Sequence, residues 1–306
     1  MKNPNLKGLI AAPFSPMLEN GDLNFAILDD YVDYLVTQGV CSVYVNGTTG
    51  EGLSLSFEER KLAAEKWVQA GKGKLKSVII QVGSCSLRDT KALAKHAAAK
   101  GADVIATLPP FFFKPKTIGL LVDYLAEVAA EVPDVPFMYY HIPEMTGVHF
   151  DMAKLMKEAA DRIPNFGGLK FTSLDLSEFG RCSELFGDQL TICYSKDEQV
   201  SGAYMLGATA AVGSTYNYCG KLNNKIIDAC MNGDFKTAGK LQKKVTLFIG
   251  VLLDYGLDVA INKAVMTKLS GLDMGPSRLP LAPVSAQTVE NITKDLKKIE
   301  FFDWGQ

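Results

Sequence analysis

Short apolar runs alternate with longer amphipathic ones through the first two thirds of the chain. The apolar runs cover residues 8–13, 42–46, 77–82, 103–108, 136–140, 166–171, 190–194 and 210–213. Each is brief and almost continuously apolar, which predicts parallel strands covered on both faces. Between them apolar positions recur at helical spacing, as over residues 25–38, 87–100, 118–131 and 152–161. The helix ends are marked as well. Ser56-Phe-Glu-Glu59 has the spacing of a capping box, and Asp151 and Asp175 stand where N-caps belong. Gly39, Gly71 and Gly101 are read as closing the helices that precede them.

Eight strand-then-helix units in series predict an α/β fold, a closed (β/α)8 TIM barrel. The rival, a doubly wound open sheet, usually carries a glycine-rich turn after its first strand, and residues 11–16 do not supply one. Strand signals stop after Gly213. The remainder reads as helices and one Gly/Pro-rich loop, residues 271–283. The expectation is one catalytic domain, with a barrel over about 1–220 and a C-terminal helical extension over about 221–306. A length of 306 residues suits this, since such barrels use about 250 residues as one unit.

Composition narrows the class. A net charge of −2 gives no general attraction to nucleic acid or anionic membranes, so neither is expected as a partner. The first thirteen residues lack a signal-peptide pattern, and no apolar run approaches the ~20 residues of a membrane span. A soluble cytoplasmic protein is expected. The six cysteines show no C-x-x-C spacing and read as buried apolar fillers rather than a disulfide framework. Only His96, His141 and His149 are available as imidazole ligands, and none forms a helical pair, so no metal and no cofactor is expected. His96 reads as a surface or satisfied residue, and His141 as a hydrogen-bonding neighbour of the site.

In a barrel the chemistry sits at the C-terminal ends of the strands, which makes the residues there the ones to inspect. Lys170 lies inside the run Phe166-Gly-Gly-Leu-Lys-Phe-Thr172. An ammonium held in a strand at the barrel mouth loses hydration, which favours the free amine that condenses with a ketone to an imine. A lysine paired with a carboxylate is the other reading. Lys114 and Lys196 lie in more polar loops and read as solvated. Tyr140 ends the preceding strand, where its phenol can face Lys170 and move protons, or stand as a satisfied core tyrosine; Tyr139 should point the other way. The loop Asn46-Gly-Thr-Thr-Gly-Glu-Gly52 suits either a carboxylate, received by backbone N–H groups with Thr48 and Thr49, or a plain structural turn. Asp197 and Glu198 fit a helix start or a subsite for polyol hydroxyls.

Taken in order along the chain, Gly47-Thr-Thr-Gly-Glu51, Tyr140-His-Ile-Pro143, Gly168-Leu-Lys-Phe-Thr172 and Gly213-Ser-Thr-Tyr-Asn217 resemble the motifs of the N-acetylneuraminate lyase and dihydrodipicolinate synthase family of class I aldolases. The resemblance runs from Leu6 to Gly275-Pro-Ser-Arg-Leu-Pro280. It implies that Lys170 forms the imine, Tyr140 relays protons, Thr48 and Thr49 hold the substrate carboxylate, and Thr172 belongs to the binding site. It also implies a homotetramer acting on a small 2-oxo acid. Glu144-Met-Thr-Gly147 has no arginine of the kind the synthase branch uses for a second carboxylate, so the pattern is more similar to the lyase branch. There Asp197, Glu198 and Ser214 would hold a sugar's hydroxyl tail. Siblings acting on 2-keto-3-deoxygluconate or 4-hydroxy-2-oxoglutarate, and a barrel that binds sugar acids without turnover, remain as alternatives. The chain departs from the lyase pattern at Ser195-Lys196, where glycine and an apolar or aromatic residue are usual. It departs again at Phe111-Phe-Phe113, where bacterial relatives lend a tyrosine to a partner subunit, so Phe112 receives no catalytic role.

Overall fold

The computed structural model describes residues 2–304. Its eight strands are β1 (Gly8–Ala11), β2 (Ser42–Val45), β3 (Ser77–Gln81), β4 (Val104–Thr107), β5 (Phe137–His141), β6 (Phe166–Phe171), β7 (Thr191–Tyr194) and β8 (Ala210–Gly213). Each pairs in parallel with its neighbour in the sequence, and β8 pairs with β1 to close the barrel. The TIM barrel read from the sequence is therefore the fold.

Several strands stop short of their apolar runs for local reasons. Asn46 turns out of β2 with φ of 57°, and Pro13 after β1 has no N–H for a ladder. Asp103 precedes β4; its amide still donates to the Val78 carbonyl, but its carboxylate rather than its carbonyl accepts from the Val78 amide, at 2.7 Å. The capping box at Ser56 forms, as do the N-caps at Asp151 and Asp175. Gly39 and Gly101 close their helices with positive φ. Gly71 does not: it is the last residue of the helix Phe57–Gly71, and the left-handed residue is Gly73.

Strand alternation sorts side chains into two layers. Ile10, Tyr44, Ile79, Met138, Tyr140 and Val212 fill the inside of the barrel. Phe137, Tyr139, Phe166, Leu169 and Phe171 face outward and pack under the helices. The exception to simple alternation matters most. Phe137 pairs with Phe166, yet Met138 pairs with Gly168, so Gly167 is an extra residue in β6. That bulge reverses the parity of the strand beyond it. Phe166 and Lys170, four residues apart, would otherwise share a face. The bulge leaves Phe166 outside and turns Lys170 inward, opposite Tyr140 in the register. Gly168 permits it: its φ is 143°, and a Cβ there would lie 1.8 Å from the Thr191 carbonyl oxygen.

After β8 the helix Tyr216–Met231 packs on β1 and runs through the boundary expected near residue 221. Helices Phe235–Leu253, Val259–Ser270 and Ala286–Lys298 follow, with an irregular stretch between the last two. No helix among the described residues is long and apolar enough to cross a membrane. Cys182, Cys193, Cys219 and Cys230 are buried as expected, Cys41 is half-buried and Cys85 is exposed; all six thiols are free.

Candidate active site

A cavity of about 290 Å³ opens at the C-terminal mouth of the barrel. At its base lies Lys170, 4% exposed, with Nζ 3.7 Å from the centroid of the Tyr140 ring and 4.4 Å from that of Tyr44. Two aromatic faces hold the ammonium by their quadrupoles where water is scarce. Lys170 makes no ion pair with any described residue, so the carboxylate-paired reading of this lysine fails. The Tyr140 hydroxyl is 3.2 Å from Thr48 Oγ1, and Tyr139 points to the outer layer. Amine, phenol and threonine hydroxyl thus form one contiguous set.

Thr48 and Thr49 stand on a loop that is both a structural turn and a wall of the cavity. Glu51 takes φ of 53°, its N–H donates to the Thr48 carbonyl, and Ser15 Oγ donates to the Gly50 carbonyl at 2.7 Å. The Glu51 side chain reaches away from the cavity to a buried ion pair with Lys263, 3.0 Å apart and each only 1% exposed. Burial pulls the Lys263 ammonium down from its ordinary range, and Glu51 opposes that pull. Lys263 also donates to the Pro276 carbonyl at 2.6 Å, the Arg278 amide donates to Glu51 Oε2, and the Arg278 guanidinium grips Glu59. The helical extension is thereby fastened onto the threonine loop.

The far side of the cavity is polar. Asp197 is buried, and its Oδ2 accepts from both the Thr215 amide (2.9 Å) and the Thr215 hydroxyl (2.6 Å). Burial lifts its carboxyl to about 6 against those hydrogen bonds, with Glu198 adding to the rise and Lys170 opposing it. Oδ1 lies against Gly213 so closely that a Cβ there would be 2.0 Å away. Glu198 and Ser214 line the same cavity, and Ser214 Oγ accepts from Asn262 Nδ2 at 3.2 Å. Thr172 also lines it, with a buried hydroxyl that has no partner among the described residues.

The sequence residues named for the site therefore converge on one cavity. Two readings are corrected. His141 faces the outer layer between Tyr139 and Phe171, and its Nδ1 has no hydrogen-bond partner among the described residues, so it is not a site residue. Burial and His149 lower its imidazole to about 4. Lys196 is not solvated: its Nζ pairs with Glu144 Oε2 at 2.8 Å, and both line the cavity. Sequence reasoning missed Tyr44, whose inward position in β2 was the available signal, and Asp258 and Asn262, which the extension delivers. Among the described residues no group of three or more His, Cys, Asp or Glu is placed to hold a metal ion.

An inward lysine beside a tyrosine, in the mouth of a parallel barrel, can form an imine with a ketone and shuttle the protons of that reaction. Residues 5–299 match the dihydrodipicolinate synthetase family. The chain is 47% identical over 301 residues to an N-acetylneuraminate lyase of Homo sapiens, covering 98% of this chain and 94% of the relative. Among solved structures, the Proteus mirabilis N-acetylneuraminate lyase superposes with a TM-score of 0.91 at 40% identity, over 97% of this chain and 99% of that one. A catalytic lysine mutant of the Ruminococcus gnavus sialic acid aldolase gives 0.90 at 28% identity, over 98% and 97%. The chain belongs to the dihydrodipicolinate synthetase family.

Proposed function

We propose that this chain is a carbon–carbon lyase, a Schiff-base aldolase that cleaves N-acetylneuraminate to N-acetylmannosamine and pyruvate. The observation that carries the reading is Lys170 Nζ held 3.7 Å over the ring of Tyr140, whose hydroxyl contacts Thr48. The lysine amine adds to the substrate ketone, and loss of water from the carbinolamine leaves an imine. Tyr140 relays the amine proton to the carbinolamine oxygen and then gives its own proton to the departing water, which leaves a protonated imine beside a Tyr140 phenolate. The protonated imine then takes up the electron pair of the breaking carbon–carbon bond, while the adjacent hydroxyl gives its proton to the Tyr140 oxygen and becomes the aldehyde. Protonation of the resulting enamine and hydrolysis release pyruvate and restore the amine. Thr48 and Thr49 receive the substrate carboxylate, and Asp197, Glu198 and Ser214 receive the hydroxyl tail, with Thr172 beside the imine.

Relatives named N-acetylneuraminate lyase at 47% identity support this substrate. Because the extension completes the cavity wall, barrel and extension act as one catalytic unit. The reading includes a cytoplasmic homotetramer: six free thiols suit a reducing compartment, and Phe112 and Phe113, 75% and 85% exposed, offer apolar surface for assembly. A second reading, a sibling aldolase for 2-keto-3-deoxygluconate or 4-hydroxy-2-oxoglutarate, draws on Lys196 in the tail pocket. Pyruvate release from a panel of 2-oxo acids tests both. N-acetylneuraminate should be cleaved fastest, and faster release from 4-hydroxy-2-oxoglutarate would overturn the substrate. Absence of a borohydride-trapped pyruvyl adduct would reduce the barrel to a binding protein.

A further inference from the structure

The cavity is lined by four carboxylates, Glu144, Asp197, Glu198 and Asp258, and by two amines, Lys170 and Lys196. Their partners differ. Asp197 has its Oδ2 engaged by Thr215, and Asp258 caps the helix Val259–Ser270 by accepting from the Ile261 amide at 2.8 Å. Lys170 has the aromatic rings. Glu198 has no hydrogen-bond or ion-pair partner among the described residues. That leaves two carboxylates in the lining, Glu144 on the short helix Pro143–Thr146 and Glu198 two residues from Lys196 along the chain, and Lys196 is paired with Glu144.

We propose that Glu144 is a specificity-determining residue, which holds the Lys196 ammonium away from Glu198 and so keeps an unneutralised carboxylate available to the hydroxyl tail of the substrate. The substrate named here rests on the function proposed above. A bare carboxylate accepts from several sugar hydroxyls and repels a substrate whose far end is itself a carboxylate. Were Lys196 to pair with Glu198, the same wall would accept weakly and tolerate an acidic tail. The exposures fit this division: the Lys196 side chain is 18% exposed and lies in the wall, whereas Glu144 is 53% exposed at the rim. A rim pair of this kind adds little to stability, so its effect belongs to substrate choice. The two partners are 52 residues apart and tie the short helix after β5 to the segment after β7 at the cavity wall.

The test compares kcat and KM of the full chain for N-acetylneuraminate and for 4-hydroxy-2-oxoglutarate. Glu144→Gln should raise KM for the neutral-tailed sugar acid on the order of 10-fold, leave kcat within about 3-fold, and lower KM for the acidic-tailed substrate. Adding Lys196→Gln to that variant should return both KM values to within about 3-fold of the wild type, because the ammonium that masked Glu198 is gone. A ratio of kcat/KM values that Glu144→Gln leaves unchanged, or a shift that the double variant retains, overturns the proposal. Pyruvate trapping by borohydride at wild-type extent certifies an intact site in each variant. Should the wild type not cleave N-acetylneuraminate, the substrate assignment falls, and 2-keto-3-deoxygluconate replaces it as the neutral-tailed substrate in the same comparison.

Discussion

The two ends of the cavity are built from different material. Lys170 and Tyr140 project from β6 and β5, facing each other across a ladder whose register is fixed by a bulge. Glu144, Lys196, Asp197, Glu198 and Ser214 lie beyond the strand ends, and Asn262 arrives from the helical extension. One end is held by main-chain pairing; the other depends on side chains meeting from distant parts of the chain. Bond-making groups need sub-ångström placement, which strands provide. Groups that choose among substrates can sit on loops, where a single replacement changes the pocket without disturbing the barrel.

The comparison implies that substitutions at the strand end abolish chemistry for every substrate. Lys170→Ala removes the proposed nucleophile, so turnover should fall by roughly 10⁴-fold or more, and borohydride with pyruvate should no longer add mass to the chain. In the wild type the adduct should map to the peptide holding Lys170. Retained turnover, or trapping on another lysine, would break the comparison at its root.

Tyr140→Phe keeps the ring beneath the ammonium and deletes only the hydroxyl. If that hydroxyl moves the proton during cleavage, kcat should drop by roughly 10²–10⁴-fold, the span of a positioned acid or base. Single-turnover kinetics with pyruvate should find imine formation slowed but the pocket intact. A kcat within about twofold of wild type would assign the relay to a water or to the substrate's own carboxylate.

How far each end could be read from the sequence follows the same division. The barrel was legible because eight apolar runs and their helix caps are local signals, and Lys170 and Tyr140 were legible because each interrupts or ends such a run. Errors arose where a local rule met a tertiary one. The strand runs overshot at residues 13 and 46, where backbone chemistry stops the ladder before the apolar pattern does. His141 was placed in the site by adjacency to Tyr140, whereas β5 continues one residue further and turns it outward. The bulge at Gly167 was not read, although it decides where Lys170 points. Glu51 and Lys263 are 212 residues apart, and no periodicity announces such a pair. Lys196 looked solvated because its partner, Glu144, lies two strands away.

At the tail end the effects should be smaller and substrate-dependent. Glu198 has no partner to lose among the described residues, so Glu198→Ala should cost only its bonds to the ligand. A charged hydrogen bond is worth on the order of 1.5–3 kcal/mol, so kcat/KM for N-acetylneuraminate should fall roughly 10- to 150-fold. Imine trapping with pyruvate should be almost unchanged, since pyruvate has no tail. Equal losses for both would show that Glu198 acts on the strand end, and the division drawn here would fail.

The smallest effect concerns pH. Burial raises the Asp197 carboxyl from 3.8 to about 6, with Glu198 reinforcing the rise and the Thr215 hydrogen bonds opposing it. A folded-state value above the unfolded one means that the native state binds this proton more tightly. Its linkage contribution is therefore fully present below the unfolded value and is lost as pH rises through about 6. Acidification from neutrality thus does not destabilise the fold through Asp197. It does remove an acceptor from the tail pocket, because a protonated carboxyl keeps one oxygen on Thr215 and offers less to a sugar hydroxyl. KM for N-acetylneuraminate should rise by roughly tenfold between pH 7 and pH 5, the change expected from titrating one required carboxylate near 6. Asp197→Asn should begin with a higher KM and lack this acid limb, while its thermal midpoint at pH 5 stays within a few degrees of wild type. In the proposed mechanism Lys170 and Tyr140 also exchange protons during turnover, so the measurement that isolates Asp197 is the difference between the two KM profiles. If the asparagine variant keeps the same acid limb as the wild type, the titrating group belongs to the strand end and Asp197 is a structural partner of Thr215 alone.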